Sequence, residues 1–104
     1  MGIKKMTTTQ VETELNTVPG WELKNEKLHR ELKFKNFVQA WGFMTQVAIL
    51  AERANHHPEW FNVYSRVIID LTTHEADGIS RRDFDLAQKI TTVLADMGVS
   101  QWQN

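Results

Sequence analysis

The run "WFNVYSRVIIDL", Trp60 to Leu71, constrains the fold more than any other part of the chain. Val67, Ile69 and Leu71 alternate with Ile68, Asp70 and Thr72, the two-residue period of a strand buried on one face. Ser65-Arg66 offers a turn, so "FNVY" folds back on that strand as a hairpin. A sheet with one apolar face needs a covering layer, and the chain supplies one just upstream. In "FVQAWGFMTQVAILAERAN", Asn36 is placed as an N-cap, and Phe37, Trp41, Met44, Ala48 and Ala51 form a buried stripe with Val47 and Ala54 beside it. Gly42 inside this helix costs about 1 kcal/mol relative to alanine, which points to a close packing contact. Pro58 biases His57 out of helical geometry, so the helix ends by about His56.

The pattern repeats on both sides. "WELKNEKLHRELKF" reads as a first hairpin, with Leu28, Arg30, Leu32 and Phe34 on one face and a turn near Asn25-Glu26-Lys27. His29, Glu31 and Lys33 take its polar face, and His29 receives no role. Before it, Thr9 and Glu12 have capping-box spacing, and Val11, Leu15 and Val18 recur at helical intervals until Pro19-Gly20. After the second hairpin, Ser80 and Asp83 form another capping box, with Ile79 and Phe84 placed as a hydrophobic staple. That helix runs through Leu86, Ala87, Ile90, Val93, Leu94 and Met97 to a Gly98 C-cap. The expectation is an α+β fold of order α-β-β-α-β-β-α, a four-stranded antiparallel sheet with three helices on one face. Residues 1–104 read as a single domain, with 1–6 a disordered tail. The two sheet edges are natural places for self-association.

Composition removes several function classes. The net charge of −1, with Lys and Arg scattered, leaves no electrostatic footprint for nucleic acid or an anionic membrane. The absence of cysteine excludes disulfides and thiol catalysis. No apolar run approaches the roughly 18 residues of a membrane span, and the N-terminus lacks the apolar core of a signal peptide. A cytoplasmic protein is the expectation. No Gly-rich phosphate loop, nucleophile elbow or zinc-protease helix is present.

The residues with most chemical potential lie in "ERANHHPEW". Glu52 and His56 stand four apart, so on a helix they share a face, and the carboxylate can orient the imidazole. His57 is adjacent, and only a bend, for which Pro58 is a reason, lets both imidazoles meet one ligand. His74 sits where the strongest strand ends, a position where site residues concentrate. Each has a plainer explanation: a polar helix terminus for His56 and His57, a surface strand end for His74, a cap for Asp83. Glu52, His56 and His74 also offer a weak zinc alternative. The four tryptophans, Trp21, Trp41, Trp60 and Trp102, are core or interface by default, and Trp21 and Trp60 can also line a pocket for a flat ring.

As a set, these residues resemble the pterin-4a-carbinolamine dehydratases, also called 4a-hydroxytetrahydrobiopterin dehydratases. The family signature looks like Glu, three residues, His-His-Pro, five residues, an aromatic, nine residues, His, then an Asp. Here it is Glu52, His56-His57-Pro58, Tyr64, His74 and Asp83, with every interval in place. "GFMTQVA", "HHPEWFNVY", "THE" and Gly20-Trp21 are similar to family text, and the resemblance runs from about Val18 to Ala95. It implies the fold read above, and a homodimer or homotetramer. It also implies dehydration of a 4a-hydroxytetrahydropterin to the quinonoid dihydropterin, with no metal or organic cofactor. By resemblance His56 and His74 transfer protons, His57 binds and orients the pterin, Glu52 orients His56, and Asp83 supports the site. Trp21 and Trp60 are substrate-binding candidates. The implied setting is tetrahydropterin recycling beside an aromatic amino-acid hydroxylase. The competing classes are a non-catalytic dimerisation or transcriptional-cofactor module on the same fold, a role one animal relative has, and a pterin-binding accessory. Three intact histidines favour the enzyme.

Overall fold

The computed structural model describes residues 2–99. The helices are α1 (Thr8–Glu14), α2 (Phe37–Ala54) and α3 (Arg81–Asp96), and the strands β1 (Glu22–Lys24), β2 (Lys27–Lys33), β3 (Glu59–Val63) and β4 (Arg66–Leu71). Short 3₁₀ turns follow α1 at Leu15–Thr17 and β4 at His74–Ala76. The sheet is antiparallel throughout, in the order β1-β2-β4-β3, which leaves β1 and β3 as edges. The expected α+β order is the observed one. Trp102 lies outside the described residues.

The core forms where the apolar face of the sheet meets the helices. Leu28, Leu32, Val67, Ile69 and Leu71 from the central strands pack with Phe43 and Val47 of α2 and Phe84, Ile90 and Leu94 of α3. Ile79 and Phe84, both buried, close the first turn of α3 as a staple. Ser80 and Asp83 make the expected capping box, and Gly98 leaves α3 at φ +76°, the left-handed conformation that glycine adopts without a Cβ penalty.

Several local expectations differ from the structure. The stripe of α2 is rotated: Ala40, Phe43, Val47 and Ala51 are buried, while Phe37 and Trp41 are 48% and 56% exposed. The helix is apolar on more than one side, so its sequence allows either face. Gly42 faces open space and serves no close contact. The cap of α1 is Thr7 with Gln10, not Thr9 with Glu12; three consecutive threonines leave that register open, and Gln10 returns the second bond of the box. The second hairpin turns at Tyr64-Ser65, because Val63 pairs with Arg66. Tyr64 takes φ +51° there, and Asn62 donates to the carbonyls of Tyr64 and Arg66. Within the segment read as a tail, the Met6 N–H donates to Ile79 O at 2.8 Å and its side chain packs on the core.

Strand register sets the outer face of the sheet. Glu59, Asp70 and His29 lie opposite one another across β3, β4 and β2. His29 lies on the polar face of its strand as expected, yet is buried there, with Nδ1 2.7 Å from Asp70 and Nε2 3.0 Å from Glu31. Burial pushes its pKa down, but the hydrogen bonds to Asp70 and Glu31 outweigh this and hold it above the ordinary histidine value. Glu31, bonded to His29 and Arg66, is correspondingly held below the usual carboxylate range.

Candidate active site

The bend that separates the two imidazoles is made at Asn55. This residue takes the left-handed conformation, φ +51° and ψ +43°, as the C-cap of α2, and asparagine tolerates that region better than most side chains. The His56 N–H closes back on Ala51 O at 3.0 Å, and Asn55 N–H on Glu52 O at 3.1 Å, satisfying the last carbonyls of the helix. His56 is thereby turned inward and His57 outward. The expected Glu52–His56 pair does not form, because His56 no longer follows helical geometry. Glu52 instead meets His57, Oε1 to Nε2 at 2.8 Å, in an exposed pair.

His56 meets Asp83. Its Nε2 is 2.6 Å from Oδ1 of that carboxylate, which is completely buried. The other oxygen, Oδ2, accepts the Ser80 backbone N–H at 2.9 Å and the Thr73 hydroxyl at 2.8 Å. A carboxylate already served by two donors is an acceptor for the third group, so His56 carries its proton on Nε2. Arg30 Nε is the one sealed side-chain nitrogen or oxygen without a hydrogen bond among the described residues. The His56 side chain keeps 9% of its surface exposed, and with Nε2 given to Asp83, Nδ1 is the ring nitrogen left for a ligand.

His74 opens the 3₁₀ turn after β4. Its side chain is 84% exposed, with Nε2 3.6 Å from Glu59 Oε2. Glu59, the first residue of β3, also takes Lys27 Nζ at 2.6 Å. Two short routes thus join the imidazoles. One runs from His56 through Asp83 and Thr73 to the adjacent His74; the other runs from His74 through Glu59 and Pro58 to His57. The three histidines lie at one end of the sheet, held by α2, α3 and the ends of β3 and β4. Sequence reasoning did not single out Glu59 or Thr73. Thr73 directly precedes His74, but its hydroxyl contact depends on how α3 docks.

Trp60 is half-buried and lines an open groove of about 680 Å³ with Trp41, Met44, Ala48 and Glu52, within the size range of small-molecule sites. Glu52 connects this groove to His57. Trp21 is buried; its indole N–H is 3.2 Å from Thr91 Oγ1, and its ring lies 6.0 Å from the Arg30 guanidinium. Tyr64, in the second hairpin turn, lies at the opposite end of β3 from His57. Glu52, His56 and His74 have separate partners, and among the described residues no three His, Asp or Glu side chains converge as metal ligands.

Residues 4–93 match the family model for pterin 4 alpha carbinolamine dehydratase. The chain belongs to this dehydratase family. Similar curated relatives include a protein of Solibacter usitatus (strain Ellin6076), named "Putative pterin-4-alpha-carbinolamine dehydratase", 50% identical over 88% of this chain and 96% of its own. A protein of the same name from Prochlorococcus marinus (strain MIT 9303) is 52% identical over 82% and 88% of the two chains. Among solved structures, the transcriptional coactivator/pterin dehydratase from Brucella melitensis superposes with a TM-score of 0.84 at 38% identity, covering 86% of this chain and 98% of that one. A pterin substrate is consistent with membership of this dehydratase family.

Proposed function

We propose that this protein dehydrates a 4a-hydroxytetrahydropterin to the quinonoid dihydropterin and water. The observation that carries the reading is the buried Asp83–His56 pair, set at the same end of the sheet as His57 and His74. In the reaction the C4a–O bond breaks with its electron pair, and the departing oxygen takes a proton to leave as water. The N5–H proton goes to a base, and its bonding pair becomes the N5=C4a double bond. Nothing is oxidised or reduced overall, so the chemistry asks only for positioned acids and bases, worth about 10²–10⁴ in rate. Imidazoles supply both forms near neutrality.

His56 and His74 transfer the protons, and Asp83 holds His56 in the tautomer that presents Nδ1. His57, steadied by Glu52, binds and orients the pterin, and Trp60 supplies a flat wall beside it. The reaction follows aromatic amino-acid hydroxylation in the cytoplasm, where it returns pterin to the recycling route. The functional unit is a homodimer or homotetramer. Exposed Phe37, Val38, Trp41 and Ile49 on α2, and Phe61 and Val63 on edge strand β3, are apolar surface of the kind that association covers.

The deciding experiment generates the 4a-hydroxypterin with an aromatic amino-acid hydroxylase and follows its dehydration by absorbance. Acceleration above the spontaneous rate is expected, and its absence would sink the enzymatic reading. The Brucella melitensis structure is also named a transcriptional coactivator; a non-catalytic module of that kind would use Asp83 only to cap α3 and does not need His56 bonded to it.

A further inference from the structure

Thr73 stands between the two halves of the site. It is completely buried, precedes His74 in the chain, and touches the acid that holds His56. Its Oγ1 lies 2.8 Å from Asp83 Oδ2 and 2.7 Å from Ser80 Oγ. The Thr73 hydroxyl donates to Asp83 Oδ2, so its proton is committed there. The Ser80 hydroxyl then donates to Thr73 and uses its own oxygen to accept the Arg82 N–H at 3.2 Å. Every proton in the chain acquires one direction, Ser80 to Thr73 to Asp83, with His56 donating from the other side.

The backbone of Thr73 is clasped as well. Its N–H donates to Gly78 O at 3.0 Å, and the Gly78 N–H returns to Thr73 O at 3.2 Å, closing the loop that carries His74. Neither this clasp nor the capping box of α3 uses the Thr73 hydroxyl, since the box is made by Ser80 and Asp83 alone. The hydroxyl does something separate: it ties the Asp83 side chain to the strand end from which His74 projects.

We propose that Thr73 is a positioning residue of the dehydration, its hydroxyl holding Asp83 against His56 and registering the His74 loop to that pair. This rests on the dehydratase reading above. Thr73 touches no reacting atom; it acts through Asp83 and through the chain. Displacing a catalytic group by about an ångström costs on the order of a hundredfold in rate, so a lost hydroxyl here acts on turnover and leaves pterin binding alone.

The test compares Thr73→Val, which keeps the shape and deletes the donor, with Thr73→Ser, which keeps the donor. Thr73→Val is expected to lower kcat by about tenfold to a hundredfold with KM nearly unchanged, and Thr73→Ser to restore it. In parallel, the ring Nε2–H resonance of His56, protected by Asp83 in the native protein, is read by NMR without pterin. It shifts or broadens in Thr73→Val and returns in Thr73→Ser. If Thr73→Val does not fold, Thr73→Cys replaces it, since a thiol is a weak donor of similar size, and kcat falls below that of Thr73→Ser. A folded donor-weakened variant with native kcat and an unmoved His56 resonance would overturn the proposal. So would Thr73→Ser being as impaired as Thr73→Val. Should the native protein show no dehydratase activity, the functional reading falls by itself, and the resonance alone decides whether Thr73 positions the Asp83–His56 pair.

Discussion

His56 Nε2 and Asp83 Oδ1, 27 residues apart in the chain, meet at 2.6 Å inside the protein. The bond joins the end of α2 to the first turn of α3. Asp83 is therefore shared between two duties: it completes the capping box with Ser80, and it fixes the tautomer of His56.

That double duty makes Asp83→Asn costly in two measurable ways. The amide keeps the shape but places an uncharged group against His56, so kcat is expected to fall by about 10²–10⁴. The buried donors of Thr73 and Ser80 lose a charged acceptor, a change of about 1–3 kcal/mol in stability. Turnover assays and urea denaturation read the two effects separately, and native kcat in a folded variant would remove Asp83 from the mechanism.

His74 and His56 separate by burial. His74 is exposed and loosely held by Glu59, so His74→Ala should leave stability within about 0.5 kcal/mol while lowering kcat by about 10²–10⁴. His56→Ala lowers kcat similarly but also strands the Asp83 carboxylate, so it melts earlier. In both, pterin affinity falls less than turnover. Equal losses in kcat and affinity would make these histidines binding groups instead.

Asn55 tests the geometry of the bend. Asn55→Gly should keep both activity and fold, because glycine accepts φ +51°. Asn55→Ala carries the left-handed strain, about 1–2 kcal/mol, and should lower kcat by displacing His56 and His57. Melting curves and kinetics on the pair of variants check this, and identical behaviour of the two would show that the bend is held by something other than Asn55.

The outer-face cluster gives stability a pH dependence of defined sign. The folded pKa of His29 is raised above its unfolded value of about 6.5, so its contribution is complete below that value and is lost as pH rises through the folded pKa. Glu31 is lowered, so its contribution is present above its unfolded value and lost as pH falls through the folded one. Urea midpoints of the native protein should decline as the solution is made more alkaline through the raised folded pKa of His29, and His29→Gln should remove that decline. An unchanged alkaline slope in His29→Gln would mean that the imidazole does not carry it.

Much of this protein was determined by its sequence alone, because the signals are local. Alternation in Val67–Leu71 makes a strand, Pro58 forbids a longer α2, and Ser80 with Asp83 starts α3, since period, φ restriction and capping each act within a few residues. The spacing of the candidate site residues, from Glu52 to Asp83, is also written in the sequence. Pairing depends on long-range contact. Glu52 looked like the partner of His56 by helical spacing, yet the left-handed turn at Asn55 gave Glu52 to His57 and sent His56 to Asp83. The buried face of α2 went to Ala40 and Phe43 rather than Phe37 and Trp41, because the helix offers two apolar faces and only docking chooses between them. His29 was legible as a polar-face residue, but only strand register placed Asp70 opposite it and buried it. Local patterns settle which elements form; which side chains share a proton is set by how those elements pack, where burial makes each unmet donor or acceptor expensive.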